Sequence, residues 1–264
     1  MPDAYEKEQA FAERMAVAAG ALLLAAFGNV SAREKGPSDL VTEADTNSQA
    51  LIARMIAAEY PDHTLLAEED DVRPDPAKSW KWIVDPLDGT INFAHGFPFW
   101  CVSIALEFEG RLVVGVIHDP ISASIYSARL GGGTRHNGRP VRVSMTSKLN
   151  ASLISAGLPT QFSKDADRQL AYFRAFSSET HSVRRTGSTA LNLALVARGG
   201  FDAYYTTSVH PWDVAAGILL VTEAGGTVST IDGSEYHLNQ PSLLATNSLL
   251  HDEAVSRARG AWHP

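Results

Sequence analysis

The sequence has a single cysteine and lacks a long hydrophobic run, and both absences narrow its class. The lone thiol, Cys101, leaves no partner for an intrachain disulfide, and its apolar neighbours predict a buried, unreactive side chain. Such cysteine usage is typical of a reducing compartment, so we expect a cytoplasmic protein. The apolar stretch at residues 16–27 is shorter than a membrane span and follows helical spacing, so neither a signal peptide nor a membrane partner is expected.

An excess of positive charge is also missing. The 264 residues carry 30 Asp and Glu against 22 Lys and Arg, and the formal net charge of -8 argues against nucleic acid as a partner, because binding to a phosphate backbone needs a basic surface. Internal repeats and low-complexity tracts are absent from the sequence, which excludes fibrous and disordered classes. The length allows one large domain or two closely joined halves.

Apolar residues at helical spacing predict two helices in the first sixty residues. The first helix is expected to end near Gly28. Residues 31–38 are charged and rich in helix breakers, which predicts a mobile loop. The second helix is expected to start within residues 39–45 and to stop at Tyr60-Pro61. The apolar positions behind these predictions are Phe11, Met15, Ala18 and Leu22 in the first helix and Leu51, Ile52, Met55 and Ile56 in the second.

From residue 80 onward the pattern changes to strands. Glu109-Gly110 is expected to form a hairpin turn between two of them. Two later helices, at 188–198 and 213–224, each end at a glycine pair. The predicted strands of the first half are 80–84, 100–108, 112–118 and 124–128.

This order of elements predicts an α+β fold. Helix pairs beside an antiparallel meander, followed by a mixed second half, favour layers over a regular βαβ winding. We expect a layered αβαβα sandwich with an antiparallel sheet in the first half and a mixed sheet in the second. The join is expected near residues 145–152, which divides the chain into 1–147 and 148–264.

The segment 82–93, Trp-Ile-Val-Asp-Pro-Leu-Asp-Gly-Thr-Ile-Asn-Phe, ends an apolar strand with two aspartates. A residue before proline favours extended backbone, so Asp85 is expected to close the strand, and Asp88-Gly89 is expected to turn the chain toward its next element. Both carboxylates then project from one strand end and repel each other unless a cation lies between them. Mg²⁺ takes hard oxygen ligands from one or two carboxylates together with phosphate oxygens. The segment therefore predicts a site for Mg²⁺ and phosphate.

Gly89 and Thr90 supply the other half of this requirement. Backbone N–H groups at a tight turn entering a helix point outward, and glycine lets a phosphate oxygen approach closely. The structural alternative is a plain turn at Asp88-Gly89, a dipeptide common in any protein.

Three further acidic residues stand at the ends of predicted elements, and each has a structural alternative. Asp45 follows Thr42 by three residues and completes a capping box. Asp213 is a suitable N-cap, and Glu68 could belong to a solvent-exposed acidic turn at 68–71. A two-metal phosphatase needs about four or five oxygen ligands from different segments, which favours a ligand role when these acids are taken together with the aspartate pair.

Four segments, in order, resemble the inositol monophosphatase family of magnesium-dependent phosphatases. Asp-Pro-Leu-Asp-Gly-Thr-Ile-Asn-Phe at 85–93 and Trp-Asp-Val-Ala-Ala-Gly at 212–217 are similar to its two signature segments. Residues 39–45 and 67–69 are similar to its upstream elements. The resemblance covers nearly the whole chain and implies a phosphoric monoester hydrolase.

The resemblance also implies a mechanism with two or three Mg²⁺ ions per active site. The positions matching Asp45 and Thr90 form a hydrogen-bonded pair that, together with Glu68, prepares a water for in-line attack on phosphorus. Asp85 bridges two of the ions. The implied metal ligands are the side chains of Glu68, Asp85, Asp88 and Asp213 and the carbonyl oxygen of Leu87.

The substrate contacts implied by the resemblance include one departure from the family pattern. The family member acting on inositol phosphate usually has a glutamate seven positions before the aspartate matching Asp213, and here that position is Thr206. A neutral threonine is a weaker acceptor for a hydroxyl of the substrate, so strict specificity for inositol phosphate is not expected. The other implied substrate contacts are Asp88, Gly89, Thr90, Gly187, Ser188 and Thr189.

The expected partner is a small phosphorylated metabolite, inositol monophosphate or a similar polyol or sugar phosphate. The alternatives on the same fold are a phosphatase for histidinol phosphate, fructose bisphosphate or adenosine 3',5'-bisphosphate, and a catalytically silent binding protein. Asn92-Phe93 resembles the inositol phosphatase variant more than the nucleotide phosphatase variant. Inhibition by lithium and a homodimer are further implications. Lys35 resembles a loop lysine of the family, but its spacing to Asp45 is one residue short, and it is assigned no role.

Overall fold

The computed structural model describes residues 4–29, 32–36, 39–69, 74–159 and 165–262. Within these ranges the helices are α1 (Glu6–Ala26), α2 (Glu43–Glu59), α3 (Thr90–Ala94), α4 (Ala166–Ser177), α5 (Thr189–Ala197), α6 (Pro211–Glu223) and α7 (His251–Ala261). The strands are β1 (Ala32–Gly36), β2 (Asp39–Thr42), β3 (Thr64–Ala67), β4 (Trp80–Asp88), β5 (Cys101–Phe108), β6 (Arg111–Asp119), β7 (Ser124–Arg129), β8 (Gly133–His136), β9 (Arg139–Val141), β10 (Leu153–Gly157), β11 (Ser182–Arg184), β12 (Ala203–Thr206), β13 (Thr227–Ser229) and β14 (Leu243–Thr246). The helices predicted at 188–198 and 213–224 are confirmed as α5 and α6.

The first sheet contains β3 to β9 in chain order. From β4 to β9 each strand pairs antiparallel with the next, and β3 lies parallel to β4. Glu109 and Gly110 turn β5 into β6 with φ of 50° and 79°, the backbone that a two-residue hairpin requires. The antiparallel sheet and the hairpin turn predicted for the first half are confirmed.

The second sheet has the order β11-β10-β12-β14-β13. β10 runs parallel to both β11 and β12, whereas β14 runs antiparallel to β12 and β13. Parallel neighbours need crossover connections, and α4 and α5 provide them. The mixed second sheet is therefore confirmed.

The helices form three layers around the two sheets. α1 and α2 cover the outer face of the first sheet, α5 and α6 lie between the sheets, and α4 and α7 cover the outer face of the second. This arrangement confirms the predicted αβαβα sandwich. Buried side chains of the three cores are Trp82, Val84 and Trp100 under α1 and α2, Ile83, Leu193 and Leu220 between the sheets, and Phe176, Tyr205 and Leu244 under α4 and α7.

Among the described residues, α1 alone is long and apolar enough to cross a membrane by length and composition. Its inward face packs against α2 and the first sheet, where Phe11, Met15 and Leu23 are at most 3% exposed. Packing in the core accounts for the apolar character of this helix.

The loop predicted at 31–38 is wrong for residues 32–36, which form β1. β1 pairs antiparallel with β2, with Ala32 opposite Thr42 and Arg33 opposite Val41. The sequence signal fails here because the ladder between the two strands, and not local propensity, holds the extended backbone. Residues 31, 37 and 38 and the side chain of Lys35 lie outside what the structure describes.

The start of the second helix is set by a capping box. The helix begins at Glu43, because the Thr42 hydroxyl accepts from the Ala44 N–H at 3.1 Å and Asp45 Oδ2 accepts from the Thr42 N–H at 2.9 Å. Residues 39–42, part of the range predicted to hold the helix start, belong to β2.

The connection between the two sheets is held by Asp202. One oxygen of its buried carboxylate accepts from the Ser144 hydroxyl, and the other accepts from the Leu153 N–H at 2.7 Å. Asn247 reinforces this junction by donating from Nδ2 to Ser144 Oγ and to the Thr146 carbonyl, both at 2.8 Å. The division of the chain at 147/148 stays a prediction, although the change from one sheet to the other falls between β9 and β10.

We expect Asp202→Ala to lower the midpoint of thermal unfolding. The substitution leaves the Leu153 N–H without its acceptor, and losing hydrogen bonds to a charged group costs about 2 kcal/mol, or about 4–8 °C in a protein of this size. Differential scanning calorimetry measures the shift. Asp62→Ala, at an exposed position, is the control and is expected to change the midpoint little. Equal shifts in the two variants would contradict this role of Asp202.

Candidate active site

β4 runs to Asp88, so the prediction that the strand closes at Asp85 is wrong, and an irregularity between the two aspartates places both on one face of the first sheet. Asp85 pairs with Ser103 and Asp88 with Cys101, so that two residues of β4 lie opposite one of β5. In a regular strand, residues three apart point to opposite faces, and the extra residue of this bulge reverses that for Asp88. Leu87 packs into the core under α1 and α2, whereas Asp88 meets α5 on the inner side.

Asp85 is the electrostatic centre of this site. Its side chain is 2% exposed, and Oδ1 accepts from the Leu87 N–H at 3.0 Å. Burial raises the pKa of its carboxyl well above the ordinary value, and the negative charges of Glu68, Asp88 and Asp213 raise it further. Acids from β4, from the end of β3 and from α6 therefore act on one buried point.

Asp88 is held by the N-terminus of α5. Oδ2 accepts from the Ser188 hydroxyl and from the Ala190 N–H at 2.7 Å, while Oδ1 accepts from the Thr189 N–H at 3.3 Å. Burial raises the pKa of Asp88, and these donors act in the opposite direction, as expected for an anion at a helix N-terminus. The predicted substrate residues Ser188 and Thr189 are thus brought together with the predicted metal ligand Asp88.

The lone cysteine lies directly beside this aspartate. Cys101 is buried, and its Sγ is 3.7 Å from Asp88 Oδ2. Burial, followed by the charge of Asp88, raises the pKa of the thiol well above its usual range. The predicted burial of this thiol is confirmed, and its lack of reactivity stays a prediction.

Asp45 and Thr90 form the expected pair. The Thr90 hydroxyl donates to Asp45 Oδ1 at 3.0 Å, and it lies 3.1 Å from the carbonyl oxygen of Leu87. The other oxygen of Asp45 accepts from the main chain and hydroxyl of Thr42. Burial raises the pKa of Asp45, and the hydrogen bonds from Thr42 and Thr90 partly offset this shift. Asp45 therefore serves the capping box and the pair with Thr90 at once.

Gly89 makes the turn after β4 possible. Its φ is 94°, in the left-handed region that favours glycine. A methyl carbon at this position would lie 3.0 Å from the carbonyl oxygen of Phe99, a tight contact that adds to the strain of this φ. The chain can therefore leave β4 and enter α3 at once, which brings Thr90 back to Asp45.

Asp213 and Glu68 reach the site from neighbouring elements. Asp213 lies in the first turn of α6, where Oδ2 accepts from the His210 N–H at 2.7 Å. The N-cap is His210, three residues before Asp213, so the alternative that Asp213 is the N-cap is wrong; Pro211 occupies the first helical position, which suits proline. Burial raises the pKa of Asp213 well above the ordinary value, and the charges of Asp88 and Glu68 contribute. Glu68 directly follows β3 and is half-buried, and its N–H donates to the Val84 carbonyl at 3.3 Å.

Thr206, the other predicted substrate residue, lies in the second sheet. Thr206 ends β12 and is 1% exposed. On the same strand, the Tyr204 hydroxyl lies 3.0 Å from Thr189 Oγ1, and burial raises the pKa of this phenol. Sequence reasoning missed Tyr204 and the amide of Asn92, which donates to the carbonyl of Thr186 at 2.9 Å. The only sequence signal for Asn92 is its place in the aspartate motif.

The donor set fits a hard divalent cation in its chemistry. The acids and the Leu87 carbonyl offer only oxygen, which suits Mg²⁺ better than soft metals. Among the described residues, however, no three or more His, Cys, Asp or Glu side chains are drawn into one coordinating group. Asp88 is turned to α5, Asp213 to the His210 N–H and Asp85 to the Leu87 N–H, which spreads these acids over local donors.

Without divalent cations, Asp85→Asn is expected to raise the midpoint of thermal unfolding at neutral pH. A raised pKa in the folded state means that the folded protein binds more protons than the unfolded chain above about pH 4, so the wild type loses stability as the pH rises from there through the raised pKa. Asparagine removes the charge and keeps an oxygen for the Leu87 N–H. The gain should therefore shrink toward pH 4, which unfolding scans in EDTA measure.

Asp62→Asn is the control for this experiment, since it removes one negative charge at an exposed position. It is expected to leave the midpoint nearly unchanged at every pH. A loss of stability in Asp85→Asn at neutral pH would show that the acids do not repel one another in the folded protein.

Comparison with known proteins places this site in a family. The sequence matches the inositol monophosphatase family over residues 4–263. It is 41% identical over 247 residues to inositol-1-monophosphatase of Synechocystis, covering 93% of this chain and 86% of that protein. It is 38% identical over 223 residues to the Nus factor SuhB of Pseudomonas aeruginosa, covering 83% of this chain and 82% of that one.

A solved structure agrees with the sequence comparisons. The inositol monophosphatase of Anabaena superimposes with a TM-score of 0.90 at 36% identity, covering 97% of each chain. The match extends over both sheets and all three helical layers. The chain therefore belongs to the inositol monophosphatase family and is a phosphoric monoester hydrolase.

Proposed function

We propose that this enzyme hydrolyses phosphomonoesters of small polyols or sugars, with inositol monophosphate as the first candidate and Mg²⁺ as the cofactor. The observation that carries this proposal is the convergence of Glu68, Asp88 and Asp213 on the buried carboxyl of Asp85, close enough for their charges to raise its pKa. Carboxyls from three segments act on one buried point, and a divalent cation is the counter-charge that such a set accepts.

The proposed metal ligands are Glu68, Asp85, the Leu87 carbonyl, Asp88 and Asp213, for two or three ions. When bound, the ions neutralise the charge that develops on the phosphate and the leaving oxygen, and they acidify a water molecule. Asp85 would contribute two carboxylate oxygens to holding these ions. Asp88 has a second task, because its oxygens also accept from α5.

The pair of Asp45 and Thr90 is proposed to orient the attacking water. The Thr90 hydroxyl donates to Asp45, which leaves the lone pairs of its oxygen as an acceptor for a proton of the water. Glu68 is proposed to accept a second proton from the same water. A water held by two acceptors presents its remaining lone pair to phosphorus, which is the positioning that in-line attack requires.

Substrate binding is proposed to use both halves of the chain. The N–H groups of Gly89 and Thr90, at the turn after β4, would donate to phosphate oxygens. The alcohol part of the substrate would lie next to Asp88 and face the N-terminal end of α5, where the contacts would be Gly187, Ser188 and Thr189. Thr206 would offer a neutral hydroxyl on the same side.

Names of relatives and residues of the chain support a polyol or sugar phosphate. The Synechocystis relative is named inositol-1-monophosphatase. Phosphatases for histidinol phosphate, fructose bisphosphate or adenosine 3',5'-bisphosphate are the alternatives within the same fold, and the net charge of -8 does not favour the last. The complete set of Asp45, Glu68, Asp85, Asp88, Thr90 and Asp213 speaks against a silent binding protein. A cytoplasmic location, a homodimer and inhibition by lithium belong to the same proposal.

A phosphate-release screen over small phosphomonoesters tests this function. The panel contains inositol, sugar, histidinol and adenosine phosphates, each measured with Mg²⁺, with EDTA, and with Mg²⁺ plus lithium. Turnover that needs Mg²⁺ and ranks polyol or sugar phosphates first supports the proposal. Equal turnover in EDTA would contradict the metal-dependent mechanism, and a preference for another ester would replace the substrate.

We expect Asp85→Asn to abolish Mg²⁺-dependent turnover without unfolding the protein. The substitution removes the charge of the central proposed metal ligand, and a loss of about a hundredfold or more in kcat is the scale for a group that stabilises the transition state. Phosphate release at saturating Mg²⁺ measures the loss, and circular dichroism checks the fold. Asp62→Asn should keep full activity. Retained turnover in Asp85→Asn would remove it from the ligand set.

Thr206→Glu is expected to shift the enzyme toward inositol monophosphate. A carboxylate accepts more strongly from a hydroxyl than a threonine does, so the ratio of kcat/KM for inositol monophosphate to that for β-glycerophosphate should rise about tenfold. The control is Thr206→Gln, whose side chain has nearly the same size as glutamate but carries no charge. It should change this ratio less. A ratio that stays constant in both variants would place Thr206 outside the substrate contacts.

A further inference from the structure

We propose that Asn92 is a positioning residue of the active site. It holds residues 186–190, called here the α5 entrance, against the turn after β4, so that the donors of Ser188, Thr189 and Ala190 stay aligned with Asp88. This inference rests on the proposed function in one respect, since it takes Asp88 to be a metal ligand.

The amide of Asn92 joins three segments of the chain. Asn92 lies on α3, and its Nδ2 donates to the carbonyl of Phe99, before β5, at 2.7 Å and to the carbonyl of Thr186, before α5, at 2.9 Å. Both acceptors are main-chain oxygens, so the two bonds fix backbone positions and not side-chain rotamers. One side chain of the first half thus fixes the approach to a helix of the second.

Gly187 shows how closely the two halves meet at this amide. Its φ is 90°, and a methyl carbon at this position would lie 2.9 Å from both Nδ2 and Oδ1 of Asn92. The backbone of residue 187 therefore lies directly against the amide, with no space for a side chain. Asn92 contacts the α5 entrance both by a hydrogen bond and by packing.

Thr186 is also fixed from its own half. Its hydroxyl donates to Asn192 Oδ1 at 2.7 Å, and the same oxygen accepts from the Ser155 hydroxyl of β10 at 3.0 Å. Thr186 is thus tied to the second sheet through Asn192 and to the first half through Asn92. A displacement at Thr186 is therefore passed on to the helix that starts at Thr189.

The need for this tether follows from the double task of Asp88. In this structure Asp88 accepts from Ser188, Thr189 and Ala190, so that it contributes to holding the α5 entrance. A carboxylate that also binds an ion has to share its lone pairs with that ion. Asn92 holds the α5 entrance independently of Asp88, and Asp88 can bind an ion while its donors remain in place.

Amide hydrogen exchange on the full chain, followed by NMR, tests this role without using activity. The variant Asn92→Asp keeps the shape of the side chain and loses both donors. The N–H groups of Thr189 and Ala190 are then expected to exchange about tenfold faster, which is the scale set by the net free energy of two hydrogen bonds. The N–H of Ala194, inside α5, should keep its rate. The stabilisation of the protein by added Mg²⁺ should also fall.

Kinetics separate positioning from a purely structural role. In Asn92→Asp, KM and the Mg²⁺ concentration for half-maximal rate are expected to rise about tenfold, while kcat stays within about threefold, because the donors are misaligned and no reacting group is lost. Gly187→Ala pushes the same contact apart from the opposite side, and it should reproduce the faster exchange at Thr189 and Ala190. This second variant decides the question if the Asn92 variant folds poorly.

Asn247→Asp is the matched control, because it removes the same kind and number of donors at a distant junction. Asn247 is 2% exposed, and its Nδ2 donates to Ser144 Oγ and to the Thr146 carbonyl, both at 2.8 Å. It should lower the unfolding midpoint and leave KM and the exchange of the α5 entrance as in the wild type.

Two results would overturn the proposal. One is unchanged exchange at Thr189 and Ala190 in both Asn92→Asp and Gly187→Ala, and the other is an equal change in Asn247→Asp. If the wild type releases no phosphate with Mg²⁺, the proposed function fails, and the exchange rates still decide whether Asn92 positions α5.

Discussion

Repulsion among buried carboxyls at the end of β4 is the constraint that the surrounding structure has to satisfy. Asp85, Asp88 and Asp213 lie within reach of one another's charge, and burial raises the pKa of each carboxyl. Main-chain N–H groups stabilise these carboxyls. Leu87 donates to Asp85, Ala190 at the start of α5 donates to Asp88, and His210 donates to Asp213. Two helix N-termini and a strand bulge are thereby committed to one small region. Stability is given up locally for chemistry, a pattern expected at active sites.

This constraint also explains why the site cannot be built by either half alone. The first sheet supplies Asp85 and Asp88, and Glu68 follows β3, its outermost strand on this side. Asp213 comes from α6, which lies between the sheets together with α5. The core around these two helices contains residues from both sheets, so the acids of one half and the donors of the other are positioned by the same packing. In the proposed function, the binding of an ion and the orientation of a substrate would therefore be coupled through this middle layer.

Much of the molecule could be predicted from the sequence, because its signals are local. Alternating apolar and polar residues, together with apolar runs, predicted β5, β6 and β7. Helical spacing of apolar residues predicted α1 and α2, and the Thr42–Asp45 capping box placed the start of α2 near its observed position. β1 was missed because a charged strand is stabilised by its partner strand. The contact of Asp88 with α5 joins residues about a hundred positions apart, and no local pattern encodes it. The choice of substrate depends on such contacts, which is why Thr206 could be singled out but not interpreted further.

The bulge in β4 has a consequence for how this segment can change in evolution. Pro86 and Leu87 lie opposite one residue of β5, and their carbonyl oxygens meet the hydroxyls of Ser48, on α2, and Thr90. Deleting either residue would restore a regular pleat and keep both aspartates on one face, but a single peptide oxygen would then have to serve two hydroxyls. Substitutions at these two positions leave the main-chain oxygens in place, whereas a change in their number does not. In this part of β4 the number of residues is therefore more strongly constrained than their identity.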